Sequence, residues 1–125
     1  MLGILQKDCL TLLKEIAPPH HKIHRHCFTG NLTQLISWLS FSPNTVFGLT
    51  CTPLLLNNPP PDVIRAPPIH KILFESNAPY LVPPTLKSRF AFSTPAMILE
   101  TAHYLASTSN IPLSELLRTI KNNTM

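Results

Sequence analysis

The residues with the most chemical capacity are histidines, and His24 and His26 stand two residues apart in the stretch HKIHRHCFTG, residues 21–30. In extended backbone, side chains at i and i+2 leave the same face. His24, His26 and Phe28 are therefore expected to project together, with Arg25 and Cys27 on the other side. Gly30 ends the run, because glycine takes backbone angles that other residues avoid. Two imidazoles at the C-terminal end of a strand read as part of a site. The pair alone leaves open a plainer reading, histidines satisfied by backbone or water. A second constellation is LFESNAPY, 73–80, where Glu75 and Asn77 share a face at a strand end just before Pro79-Tyr80. Barrel enzymes build their sites from strand C-termini. A simple turn accounts for the same residues, since Asn tolerates strained angles and Pro suits a loop. A third is the tract His20, His21, His24, His26 and Cys27. Dense His/Cys tracts can bind zinc, although this spacing follows no finger pattern.

Other chemistries lack their parts. The aspartates are Asp8 and Asp62, in a helix and a proline-rich loop, so neither a Ser-His-Asp nor a Cys-His triad assembles. With Gly3, Gly30 and Gly48 as the glycines, there is no phosphate-cradling loop. Cys9, Cys27 and Cys51 make an odd set without Cys-x-x-Cys spacing, which points to a reducing compartment. The N-terminus MLGILQKDCLTLL lacks the basic start of a signal peptide, and no apolar run approaches the ~18 residues of a membrane span. An intracellular protein, nuclear or cytoplasmic, is expected.

These candidate groups must be held by elements that 125 residues can form, a length for one small domain. Hydrophobic residues are 44%, enough for a core, but charged residues are 13% against roughly 25% in ordinary soluble domains. That deficit fits a chain whose surface is covered by more polypeptide. The formal charge of +4 gives weak support for a nucleic-acid partner. Leu5, Cys9, Leu12, Leu13 and Ile16 recur at helical spacing, predicting a helix over 2–16 that Pro18-Pro19 ends. A strand over 22–28 follows. Asn31 with Gln34 forms a capping box for a helix whose stripe is Leu32, Leu35, Ile36 and Leu39, with Trp38 beside it. A second strand covers 45–50. Residues 51–68 hold six prolines and read as a loop with a short helix at 61–65. The third strand is 71–76, followed by a long loop. Thr94 caps a helix with Pro95 at its first position and Ile98, Leu99, Ala102, Leu105 and Ala106 inward. Pro112 opens a last helix with Leu113, Leu116, Leu117 and Ile120 inward. Strands alternating with helices predict parallel pairing in an α/β fold. A sheet of about three strands has two open edges, so the pattern reads as a slice of an α/β barrel.

HCFTG at 26–30 and FESNAPY at 74–80 together resemble the TatD family of metal-dependent hydrolases. Its members commonly read His-Cys-Phe-[Ser/Thr]-Gly at one strand end and Glu-Thr-Asp-[Ala/Ser]-Pro-Tyr at the last. The resemblance runs from about residue 8 to RTIKNNT, 118–124, which is similar to the family's closing helix with its Arg/Lys-x-Asn-Thr ending. It implies a TIM-type (β/α)8 barrel that cleaves DNA phosphodiester bonds with divalent metal ions, Mg, Mn or Zn. The family's ligands are a His-x-His pair, a mid-chain Glu, two later His and a final Asp. Carried over, the second later His is His26, the final Asp position is Asn77, Glu75 matches the motif Glu outside the ligand set, and Tyr80 matches the motif Tyr. His24 has no equivalent among those ligands and is an additional metal candidate.

Two departures shape the functional expectation. The His-x-His pair, the mid-chain Glu and the first later His have no counterparts, and a full barrel needs about 250 residues. Asn77 also replaces a carboxylate that could bind a hard cation or take a proton from an attacking water; an amide has no useful basicity. Residues 1–125 are thus expected to form a single partial domain, the C-terminal part of an incomplete barrel. The resemblance implies a metal-dependent deoxyribonuclease with DNA as its nucleic-acid partner; by its residues the chain is expected to be truncated and inactive alone. The alternatives are a non-catalytic interaction module whose open sheet edges pair with a partner chain, and an independent small metal-binding domain.

Overall fold

Parallel strands require long crossovers, usually helical, and the alternating elements of this chain supply them. The structure, a computed structural model, describes residues 2–51 and 59–125, with side chains from residue 6 onward. The stripe position Leu5 and the loop reading at 52–58 lie outside the residues so described. The elements are α1 (Leu2–Ile16), β1 (Ile23–Arg25), α2 (Leu32–Phe41), β2 (Thr45–Leu49), α3 (Pro61–Arg65), β3 (Ile72–Phe74), α4 (Ile98–Ser109) and α5 (Leu113–Thr124). The strands form one parallel sheet in the order β1-β2-β3, with His24 beside Val46 and Gly48 beside Leu73.

This register gives the two faces different jobs. Arg25, Phe47, Leu49, Ile72 and Phe74 fall on one face by the two-residue period. Helices cover it in two clusters. Phe28, Leu35, Trp38, Phe47 and Val63 pack under α2 and α3, with Leu10 and Leu13 of α1 against them. Leu49, Ile64, Ile72, Leu105, Leu116 and Ile120 join β2 and β3 to α3, α4 and α5. The opposite face carries His24, Val46, Gly48 and Leu73. A barrel would close around that face; here three strands leave the barrel open, with β1 and β3 as edges among the described residues.

Local signals and tertiary packing agree in part. The capping box forms: Asn31 Oδ1 accepts from Gln34 N–H and Gln34 Oε1 accepts from Asn31 N–H, both at 2.9 Å. The inward face of α2 is centred on Trp38, however, while Leu32 and Ile36 are exposed. Arg25 decides this, since its guanidinium lies 4.5 Å from the Trp38 ring and draws the indole beneath β1. On α1, Cys9, Leu12 and Ile16 are exposed and Leu10 turns inward. Leu99 and Leu117 likewise face outward, because one sheet face gives α4 and α5 a single narrow contact. Thr94 makes no side-chain cap; Pro95–Met97 forms a 3-10 turn before α4 begins. All three strands are shorter than the ranges expected for them, and Ile69–Lys71 is a 3-10 turn before β3.

Candidate metal centre at the strand ends

β1 ends early because the backbone changes hand. Cys27 has φ 45°, in the left-handed region that side chains other than Gly rarely enter. The turn sends Phe28 into the core, where it is 2% exposed and its N–H donates to Gly48 O at 2.8 Å. Phe28 is therefore not on the histidine face, as continued alternation would have it. His24 and His26 do project together, with ring centroids 5.9 Å apart, while Arg25 points to Trp38 on the other side.

Glu75 organises the site. It follows β3 directly, and its N–H donates to Leu49 O at 3.0 Å. Its carboxylate lies across β2 over Gly48, in the space that a Cβ at residue 48 would occupy. From there Oε2 accepts from the Cys27 N–H at 2.7 Å. Oε1 lies 2.6 Å from His24 Nε2 and 2.8 Å from His26 Nδ1. The Glu75 side chain is 8% exposed, whereas those of His24 and His26 are 44% and 67% exposed. Both imidazole contacts are at ion-pair distance, and Oε1 takes no further hydrogen bond among the described residues. A buried carboxylate is costly unless its oxygens are paired or coordinated.

Asn77 stands two residues farther on, with φ 50° and its Oδ1 buried and unpartnered. It lines an open cleft of about 710 Å³ together with His26, Glu75, Ser76, Tyr80 and Pro95. Tyr80 N–H donates to Asn77 O at 2.9 Å, and Ser93 N–H donates to Pro79 O at 2.8 Å. His20 and His21 are exposed and stay out of the cluster; their carbonyls accept from Asn44 Nδ2 and Ser42 Oγ. Cys27 Sγ accepts from Thr50 Oγ1 at 3.8 Å.

Among the described residues, His24, His26 and Glu75 are the donors that converge, their ligand atoms all within 4.8 Å of one another. Two imidazole nitrogens and one carboxylate oxygen match the His2Glu type of zinc-class sites. The convergence of two imidazoles on one largely buried carboxylate is the observation that fits a cation. Sequence reasoning placed Glu75 outside the ligand set and gave Gly48 no role. The signal available for both was a glycine in the middle of an otherwise apolar strand, which marks close approach by another group. On the far face, burial lowers the pKa of Arg25 from its ordinary value, partly offset by nearby Cys9.

Three comparisons bear on these residues. The chain is 33% identical over 121 residues to the human 3'-5' RNA nuclease TATDN2, an alignment covering 94% of this chain and 16% of that protein. An uncharacterized amidohydrolase from Saccharomyces cerevisiae superposes with a TM-score of 0.66 over 86% of this chain and 40% of the yeast chain, at 19% identity. That superposition shows the fold, an unclosed sector of a TIM-type barrel. The chain thus spans well under half the length of either relative. Residues 5–125 match the family pattern described as TatD related DNase, and the chain belongs to that family.

Proposed function

We propose that this chain carries one sector of a TatD-type phosphodiesterase site, holds a divalent cation through His24, His26 and Glu75, and does not cleave nucleic acid by itself. The observation that carries the reading is the convergence of both imidazoles on Glu75 Oε1, beside an amide at residue 77. When bound, the cation supplies Lewis acidity toward a phosphoryl oxygen. His26 and Asn77 then face the cleft, while the Cys27 N–H fixes the Glu75 carboxylate. No carboxylate at residue 77 is present to take a proton from water, and Asn cannot substitute as a base. DNA is the substrate the family description suggests; RNA is the second to test, because the human relative is named as an RNA nuclease. The expected setting is intracellular; no described helix is long and apolar enough to cross a membrane.

The test incubates purified chain with single-stranded DNA or RNA and Mg²⁺ or Mn²⁺, beside His26→Ala. The expected result is no metal-dependent cleavage, with a thermal shift on adding Zn²⁺ or Mn²⁺ that His26→Ala loses. Cleavage by the wild type that EDTA stops and His26→Ala abolishes overturns the inactive reading. A flat thermal shift overturns the metal reading.

A second reading concerns the sheet. β1 and β3 offer unpaired backbone edges among the described residues, and exposed edges invite another strand. A non-catalytic module pairing those edges with a partner chain predicts self-association or capture of a barrel-forming polypeptide; a monodisperse monomer on gel filtration counts against it.

A further inference from the structure

The loop that follows the metal-donor cleft exposes aromatic rings where the chain could have hidden them. Tyr80 is 76% exposed, Phe92 62% and Phe90 46%. Isolated exposed rings are ordinary, but these share one anchored segment. The Ser93 N–H bond to Pro79 O sets residues 79–80 alongside 92–93, so Tyr80 and Phe92 flank a single backbone contact. Ser93 is itself buried, and its Oγ donates to Ser76 O at 3.3 Å, tying the segment to the strand end. Buried Pro83 begins a 3-10 turn, and Thr85 Oγ1 donates to Glu100 Oε2 at 2.9 Å, tying the same segment to α4. Arg89 and Phe90 N–H groups both donate to Leu86 O, which closes the turn that carries them.

The charges carried by residues 76–99 have one sign, and the acid that meets the segment is Glu100, at Thr85. Lys87 and Arg89 are exposed, and no acidic residue occurs between Glu75 and Glu100. Neither cation takes part in an ion pair among the described residues. Rings interleaved with unpaired cations suit a strand whose bases stack and whose phosphates carry charge. Tyr80 also lines the cleft with His26 and Asn77, so whatever stacks on it lies beside the donor cluster. A protein partner would use the rings but not the one-signed charge. We infer that residues 80–92 form a single-stranded nucleic-acid platform: Tyr80 and Phe92, with Phe90 beside them, stack bases, and Lys87 and Arg89 hold the backbone. The inference deepens the nuclease reading above and rests on it for the substrate class.

The experiment measures fluorescence anisotropy of a labelled oligo-dT and an oligo-U in EDTA, so that binding is read without metal or cleavage. The wild type is expected to bind both. Tyr80→Ala and Phe92→Ala each weaken binding by at least about fivefold. Lys87→Ala with Arg89→Ala lowers the salt slope of log affinity by about 1.4, roughly 0.7 for each phosphate contact on a single strand. Phe92→Trp keeps affinity, and its emission is quenched on saturation, which reads stacking directly. Ring variants that bind like wild type, an unquenched Phe92→Trp, or equal affinity for a duplex of the same length overturns the platform. So does a wild type that ignores both oligonucleotides, including one that instead self-associates through Phe92. The cleavage and thermal-shift assays decide the donor cluster separately, since this binding needs no cation.

Discussion

The Glu75 carboxylate lies over Gly48, in the volume that a side chain on the central strand would fill. A residue from β3's end can therefore reach across β2 to the turn after β1, where it meets the Cys27 N–H, His24 and His26. Gly48→Ala tests this relationship. Its methyl group collides with the carboxylate, and an overpacked site of this kind costs about 1–3 kcal/mol. Urea unfolding should show that loss, and zinc titration should show affinity lowered at least about tenfold, as when ligand-orienting groups are disturbed. Unchanged values for both would mean that Glu75 has no fixed place there.

Asn77→Asp should separate stability from metal binding. The Oδ1 is buried and unpartnered, so a new negative charge beside Glu75 is unfavourable in the free chain. Without metal the melting temperature should fall. With Mn²⁺ the thermal shift should exceed that of wild type, because a carboxylate binds a hard cation better than an amide oxygen does. An equal shift in the two proteins removes residue 77 from the cation's surroundings.

The ending Lys-x-Asn-Thr at 121–124 has a structural reason. Asn123 Nδ2 donates to Ile69 O at 2.9 Å and to Ile72 O at 2.8 Å, fastening α5 to the entry of β3. Asn123→Ala leaves two carbonyls without their donor and should cost about 1–3 kcal/mol in urea unfolding. Asn123→Asp should cost at least as much, since a carboxylate cannot donate to either carbonyl. A cost near zero for both would mean that Asn123 does not hold α5 to β3.

Cys51 gives a pH signature. The residue is 3% exposed, and burial, helped by Glu100, pushes the thiol pKa up from 9.0 to about 11. The folded chain then keeps a proton that the unfolded chain releases above pH 9.0. Its contribution to stability is complete below that point and is lost as pH rises toward 11. Alkylation at pH 8 should label exposed Cys9 readily and Cys51 slowest. Rapid labelling of Cys51 at that pH would contradict its burial.

Much of the frame was legible in order. The 3.6-residue periods located α1, α2, α4 and α5, and the Asn31–Gln34 spacing predicted a capping box that forms with both bonds. Helix facing was less legible, because an apolar residue such as Ile36 or Leu99 fits a stripe but is buried only where another element lies opposite. Apolar spacing puts Trp38 beside the α2 stripe, yet it is the centre of the buried face, since its partner Arg25 comes from another element.

By itself, the sequence determined which groups could take part: two imidazoles two residues apart, a glutamate and an amide at a second strand end, and helices between them. Side-chain alternation also put His24 and His26 on one face, because that depends only on local backbone geometry. Tertiary structure alone decided that Glu75 joins them, that Phe28 leaves them, and that a backbone hydrogen bond joins Pro79 to Ser93, the neighbours of Tyr80 and Phe92. Those outcomes depend on strand register, on the handedness of the backbone at Cys27 and on a glycine that leaves room for a distant carboxylate. None of these is a property of any single segment.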